Sequence, residues 1–302
     1  MNTQLQDYIV EQIDQRNKRH AKKIKNTVCK LDDEYKQRAE DFYKLYKNFA
    51  EKNGKSLDFG INSYLRVIDD MVYEHIRFVQ SGEYSCKSFQ DANERVYSNP
   101  EIMEYYMHGL MLTQFLWEHH YKILKHFTSV LEELSSTIKS YLEIGGGHGL
   151  YFNEAIKYIG TESCRFDLVD ISKSSIEMAT QFIKNDHVNF IHSDIFKYTD
   201  HKNYDFITMG EVLEHVENPT DLLCCVNRLL VSEGYLFLTV PINSPAIDHI
   251  YLFNNAKEIQ DLVLKEGFKI IDEKIIPTED ISLEKAKQLK ITIMYSALLK
   301  KI

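Results

Sequence analysis

The sequence predicts an α/β protein: a doubly wound, mostly parallel sheet preceded by an all-helical region. Three observations predict it. A short apolar strand at residues 141–144 runs directly into a glycine-rich turn, Gly145-Gly146-Gly147-His148-Gly149. Further apolar runs follow, each ending in an acidic residue and each separated from the next by a helical stretch, as in parallel strands joined by crossover helices. The first 130 residues carry no such alternation and read as helices throughout.

Residues 4–52 are polar and charged, with sparse apolar positions and no proline. They predict two long helices broken near residues 30–32. Gly54 and Gly60 mark turns, and Asn62-Ser63 is placed to cap a helix running to about residue 80. Asn99-Pro100 is a helix start, with a capping side chain and proline at the first turn. The helix it opens, over 101–127, carries Tyr105, Tyr106, Met107, His108, Met111, Phe115, Trp117, His119, His120 and Tyr121. A helix apolar on most sides is expected to be buried.

Strands follow at 141–144, 166–172, 188–195 and 204–211, ending near Glu143, Asp170, Asp194 and Glu211. A helix over 219–230, a strand over 235–241 opened by Gly234, a helix over 255–266 and strands over 268–276 and 291–299 complete the chain. This divides it into a helical unit, 1–135, and a sheet unit, 136–302. In such sheets ligands sit at the carboxyl ends of the strands, where the strand order reverses. The four acidic ends are expected to converge there, beside glycines that let the backbone approach a ligand.

The run Glu143-x-Gly145-x-Gly147-x-Gly149, then Asp170, then Ser193-Asp194-Ile195, then Glu211-Val-Leu-Glu-His-Val resembles the class I S-adenosylmethionine-dependent methyltransferases over roughly residues 138–302. A dinucleotide fingerprint, G-x-G-x-x-G, fits less well, because Leu150 stands where its last glycine falls. The resemblance implies a seven-stranded Rossmann-like sheet with its final strand antiparallel. It implies that S-adenosyl-L-methionine is bound, and S-adenosyl-L-homocysteine released, by Glu143, Gly145, Gly146, Gly147, Gly149, Asp170, Ile171, Ser172, Asp194, Ile195 and Glu211. In that family the glycine turn lies against the amino-acid moiety and ribose. The Asp170 position binds both ribose hydroxyls and the Asp194 position meets the adenine amino group. A carboxylate accepts two hydroxyl hydrogen bonds at once, and charge-assisted bonds are the stronger kind.

Glu211-x-x-Glu214-His215, with His249 downstream, is a second constellation. Two carboxylates and two imidazoles suit one divalent cation such as Mg²⁺. The set resembles the site of metal-dependent O-methyltransferases of the ubiquinone-pathway and small-RNA 2′-O types, where the cation eases deprotonation of acceptor hydroxyls. The same Leu-Glu-His-Val run also occurs in metal-free relatives, where it holds the fold together.

Composition bounds the partners. Residues 1–130 hold 19 basic and 19 acidic side chains, so the net charge of -9 comes from the rest of the chain. That balance argues against nucleic acid as partner. The basic run Arg16, Lys18, Arg19, Lys22, Lys23 and Lys25 reads as a solvated helix face. No apolar run approaches the ~20 residues that cross a membrane, no apolar leader is visible, and five cysteines lack metal spacing. A cytoplasmic protein is expected, its long polar helices suited to a homodimer. The helical unit is expected to cover an acceptor pocket.

Methyl transfer from a sulfonium is an in-line displacement governed by positioning. A hydroxyl acceptor also needs a base or cation, for which His119, His120 and His249 are candidates. The expected function is methylation of an O or N atom on a small molecule. An RNA 2′-O-methyltransferase and a non-catalytic S-adenosylmethionine binder are the alternatives.

Overall fold

A computed structural model describes residues 3–199 and 203–302. Its centre is the seven-stranded sheet, in the order β3-β2-β1-β4-β5-β7-β6. The strands are β1 (Ser140–Ile144), β2 (Arg165–Asp170), β3 (Asn189–His192), β4 (Tyr204–Gly210), β5 (Leu230–Ile242), β6 (Phe268–Pro277) and β7 (Ile293–Lys301). β1 to β5 pair in parallel, and β7 runs antiparallel between β5 and β6. The order reverses between β1 and β4, which opens a crevice above their carboxyl ends.

Alternate residues of the strands feed opposite faces. Tyr141, Phe166, Phe206 and Phe237 join a core continuous with the N-terminal helices, whereas Leu142, Ile144, Ile207, Met209, Leu236 and Leu238 pack on the other side. Covering that other side are α10 (Pro219–Leu229) and α11 (Ala256–Lys265). Each starts on an asparagine cap: Asn218 accepts the Thr220 N–H, and Asn255 accepts the Glu258 N–H. The crossover helices α8 (Leu150–Ile159) and α9 (Lys173–Ile183) follow β1 and β2. A short helix, α12 (Leu283–Gln288), which no sequence pattern announced, precedes β7.

The N-terminal region is helical as expected, but its breaks fall elsewhere. Residues 4–52 form three helices, α1 (Gln4–Arg16), α2 (Lys18–Val28) and α3 (Asp33–Lys52). The additional break is at Asn17, whose side chain accepts the His20 N–H at 3.1 Å and so starts α2. α4 (Leu57–Ser81) begins before Asn62, because Ser56 caps it by accepting the Phe59 N–H at 3.1 Å. Gly60 therefore lies inside a helix and not in a turn. It is glycine because a Cβ there would sit 2.1 Å from Tyr46 Oη of α3.

After a short turn, α5 (Phe89–Ala92), and a π-helical turn (Asn93–Tyr97), the apolar helix expected over 101–127 is two helices. They are α6 (Pro100–Leu116) and α7 (Glu118–Leu134), divided at Trp117, which is extended (φ -116, ψ 121). Trp117 turns its indole to donate to Tyr64 Oη at 2.9 Å. The turn lets α7 lie on the sheet, where His126 and Phe127 pack on Phe237 with ring centroids 5.2 and 5.0 Å apart.

Candidate active site

A cavity of about 1850 Å³ occupies the crevice at the switch point, roofed by side chains of α2, α4, α6 and α7. At the end of β1, Gly145 donates its N–H to Val169 O (2.8 Å), locking the glycine turn to β2. Three of the four glycines are small because something packs on them. A Cβ would lie 2.5 Å from Val212 at Gly145, 2.5 Å from Leu168 at Gly146 and 2.8 Å from Ile183 at Gly149. Gly147 differs: φ is +51, and a Cβ there would meet only Met107 Sδ, at 3.8 Å. That open face is a cradle for a ligand. Gly145, Gly146 and Gly147 line the cavity, while Gly149 turns away from it against α9 and caps α8.

Asp170 ends β2 beneath this cradle. Its carboxylate accepts the Gly147 N–H (2.9 Å) and the Ser172 N–H (2.7 Å), so it fixes the turn as well as facing the cavity. Burial raises its pKa and the two N–H donors lower it. Ile171, Ser172, Asp194 and Ile195 line the cavity next to it, with Phe196 exposed at the rim. Glu143 is buried, accepts the Tyr141 hydroxyl (3.1 Å), and is pushed up to about 8 by burial. The cofactor candidates are thus brought to one cleft, Gly149 excepted.

β4 ends at Glu211, whose φ of +55 is a left-handed conformation costly for a residue with a Cβ. Thr239 holds it there: Thr239 Oγ1 donates to the carboxylate (2.7 Å), and the Glu211 N–H donates to Thr239 O (3.1 Å). The following 3-10 turn, Leu213–His215, buries Glu214 completely. Neither carboxylate oxygen of Glu214 has a hydrogen-bond partner. His215 Nε2 lies 3.6 Å and His249 Nε2 3.9 Å from Glu214 Oε1. The metal-ligating atoms of these three residues lie within 4.8 Å of one another. Glu211 lines the same cavity but stands outside that trio, so of the four expected cation ligands three are brought together. Burial, then the nearby Glu211 charge, raises the Glu214 pKa well above the carboxylate range.

The imidazole tautomers follow from their other nitrogens. His249 Nδ1 is 2.6 Å from Ser244 O, and His215 Nδ1 is 3.1 Å from Asp248 O. A carbonyl only accepts, so both Nδ1 atoms carry the proton and both Nε2 atoms present lone pairs. Two Nε2 lone pairs and the two Glu214 oxygens therefore converge, and the proton among them is the one that burial holds on Glu214. This is the environment of a cation held by imidazole and carboxylate, with the outer nitrogens anchored.

The candidate catalytic histidines do not form one group. His249 sits with Glu214 and His215, whereas His119 and His120 stack with Trp117 at the start of α7. His120 Nδ1 is 2.9 Å from Thr113 Oγ1, and burial with His148 of the glycine turn lowers its pKa to about 3. Burial also holds His119 well below its ordinary value. Both line the cavity as neutral rings. Sequence reading named Tyr106 and Met107 only as members of the apolar helix over the pocket and missed Tyr97 and Asp248; all four line the cavity too. Asp248 was visible beside His249; Tyr97 carries no local signal.

These shifts set a pH dependence. His20, His108, His120, His148 and His249 have folded pKa values lowered to about 4, 4, 3, 4 and 4, so the unfolded chain binds more protons below pH 6.5 and acid destabilises. Glu143 has a folded pKa raised to about 8, so the folded chain keeps a proton that the unfolded chain has lost, and stability falls as pH rises toward 8. With chelator and no nucleoside, the melting temperature is expected to peak near about pH 6.5 and decline toward 8. Glu143→Gln is expected to lessen that decline, to which the raised Glu211 and Glu214 also contribute; a melting temperature that rises steadily from 6.5 to 8 contradicts the assignment.

The sheet order, the glycine turn and the acidic strand ends define a class I S-adenosylmethionine-dependent methyltransferase. Residues 116–273, more than half of the chain, match the methyltransferase-domain family, and the chain belongs to it. It is 28% identical over 149 residues to the ubiquinone biosynthesis O-methyltransferase of Glaesserella parasuis serovar 5 (strain SH0165), covering 47% of this chain and 61% of that enzyme. The matched part thus spans less than two thirds of that relative. Among solved structures, mitomycin 7-O-methyltransferase MmcR superposes with a TM-score of 0.53 at 13% identity, covering 77% of this chain and 68% of its own. N-methyltransferase NodS from Bradyrhizobium japonicum WM9, solved with S-adenosyl-L-homocysteine, gives 0.46 at 19% identity, covering 61% and 86%. No helix among the described residues is long and apolar enough to cross a membrane.

Proposed function

We propose that this methyltransferase acts on a hydroxyl group of a small-molecule acceptor and uses a divalent cation held by Glu214, His215 and His249, with Glu211 alongside. One observation carries the reading: the Nε2 atoms of both histidines and the buried carboxyl group of Glu214, whose oxygens have no hydrogen-bond partner, come together within 4.8 Å. An uncompensated buried carboxylate is costly, and a cation relieves it. When bound, the cation supplies a Lewis acid that lowers the pKa of an acceptor hydroxyl.

On the donor side, Asp170 would hold the ribose hydroxyls, Asp194 the adenine amino group, and the Gly145–Gly147 turn the amino-acid moiety. S-adenosylmethionine supplies a methyl group already activated by the sulfonium. What remains for the chain is to orient the acceptor, exclude water and accept a proton. The roof serves exclusion: Met103, Met107, Leu110 and Ile123 line the cavity from α6 and α7. His119 and His120 pack on Trp117 and are not part of the Glu214, His215 and His249 group, and we assign them to the cavity wall and not to proton removal.

A small acceptor is favoured over RNA by the roofed apolar cavity and the net charge of -9. Part of the basic α2 face is also occupied, since Lys23 pairs with Glu279 and Lys25 with Asp14. The test is transfer of labelled methyl from S-adenosylmethionine to matched hydroxyl and amine acceptors and to RNA, with chelator and with Mg²⁺ restored. Label on a hydroxyl acceptor, lost with chelator and regained with Mg²⁺, is expected. Chelator-insensitive transfer to an amine, or label in RNA alone, overturns the reading.

A further inference from the structure

The helical region reaches the carboxylate–histidine cluster through Tyr84, whose ring lies edge-on to His249 with centroids 6.0 Å apart, and through Tyr97 and Tyr106. Tyr97, the last residue of the π-helical turn before α6, places its hydroxyl 2.9 Å from His215 Nδ1 and 3.2 Å from Asp248 Oδ2. Tyr106, on α6, donates to the other oxygen of the same carboxylate, Asp248 Oδ1, at 3.2 Å. Asp248 is 3% exposed, so two phenols of the roof cap a buried carboxylate directly beside His249.

The protons in this network can be assigned. His215 Nδ1 faces Asp248 O, which only accepts, so the ring nitrogen donates. Tyr97 has one hydroxyl proton, and Asp248 Oδ2 takes it; the Tyr97 oxygen is then free to accept from His215 Nδ1. The arrangement that keeps the bonds to Asp248 O, Tyr97 and the Asp248 carboxylate together has Nδ1 protonated and Nε2 bare, facing Glu214, where a cation would take up its lone pair. Were Tyr97 to donate to Nδ1 instead, the ring would lose its bond to Asp248 O and present N–H toward the cluster. A π-helical turn is uncommon and frequently marks a functional site; here it sets the register that brings Tyr97 to the histidine.

We infer that Tyr97 is a positioning residue that, with Asp248 and Tyr106, holds His215 in its Nδ1–H tautomer, and that seating of the 93–106 segment is thereby coupled to cation binding at Glu214, His215 and His249. This rests on the cation reading above. By linkage, a cation that needs the bare Nε2 tightens the seating of the roof, and a seated roof tightens the cation. The roof is therefore an element of the cation site as well as a cover over the acceptor.

The experiment compares wild type with Tyr97→Phe and Tyr106→Phe in three measurements: Mn²⁺ titration followed by electron paramagnetic resonance, nitrogen-labelled histidine NMR of the His215 tautomer, and S-adenosylhomocysteine titration as a check on the fold. Loss of an outer-shell partner typically weakens a metal site about 10–100-fold. Tyr97→Phe is expected to weaken Mn²⁺ about tenfold, mix the His215 tautomers and leave the S-adenosylhomocysteine affinity unchanged. Tyr106→Phe is expected to do less, because the Tyr106 hydroxyl bonds Asp248 and not His215. Wild-type Mn²⁺ affinity in Tyr97→Phe with an unchanged tautomer overturns the inference. If wild type binds no Mn²⁺, the cation reading fails; the tautomer of Tyr97→Phe then still decides whether Tyr97 positions His215.

Discussion

Asp170→Ala is expected to weaken S-adenosylhomocysteine binding about a hundredfold or more, as read by calorimetric titration. The carboxylate faces the cavity at the carboxyl end of β2 and is pinned to the glycine turn through the Gly147 N–H and to the start of α9 through the Ser172 N–H. Two charge-assisted bonds to ribose hydroxyls contribute about 1.5–3 kcal/mol each, which sets that scale. The substitution also frees the Gly147 and Ser172 N–H groups, so the turn loses its anchor along with the ligand's. Asp170→Asn is not a gentle control: its amide would turn an N–H₂ toward at least one of those donors. A variant that melts like wild type and binds within threefold of it would remove Asp170 from the cofactor site.

Glu214→Gln is expected to produce two opposite effects. With Mg²⁺ present, the methyl-transfer rate falls about a hundredfold or more, because the cation contributes several kcal/mol of charge stabilisation and the amide has lost the charge that holds it. With chelator, the same variant is expected to melt at a higher temperature than wild type. Both Glu214 oxygens are buried without hydrogen-bond partners and burial holds a proton on the group, so at neutral pH the native acid costs stability that a neutral amide does not. Calorimetry with Mg²⁺ and with chelator reads the crossover: Gln above Glu without the cation, Glu above Gln with it. A uniform fall in melting temperature under both conditions would mean that Glu214 serves packing alone.

The sheet and its ligand crevice were legible because the chemistry is local. A strand that ends in an acidic residue and passes into Gly145-Gly146-Gly147 states its own geometry, and the reversal between β1 and β4 follows from the order of apolar runs. Helix boundaries in the first 134 residues were less legible. Trp117 breaks what reads as one apolar helix because its indole is held by Tyr64, 53 positions away in sequence. Gly60 sits mid-helix because Tyr46 leaves no room for a Cβ. Neither cause is written near the residue it acts on. The same holds for the candidate site. The spacing of Glu211, Glu214 and His215 is visible in one line of sequence, but the separation of Glu211 from the trio depends on Thr239 of β5. The partnership of Tyr97 with His215 spans 118 positions and depends on how the roof seats. His119 and His120 could be read as an inward-facing pair, yet which end of the cavity they face was a tertiary matter.

The central claim is that Glu214, His215 and His249 hold one divalent cation. The most direct measurement is anomalous diffraction from crystals grown with S-adenosylhomocysteine and soaked in Mn²⁺, collected on either side of the manganese absorption edge. The account predicts a single strong peak bounded by the Glu214 carboxylate and the Nε2 atoms of His215 and His249, absent from Glu214→Gln crystals treated alike. Empty density there in a crystal that binds the nucleoside, with Glu214 protonated and hydrogen-bonded to a histidine instead, would contradict it.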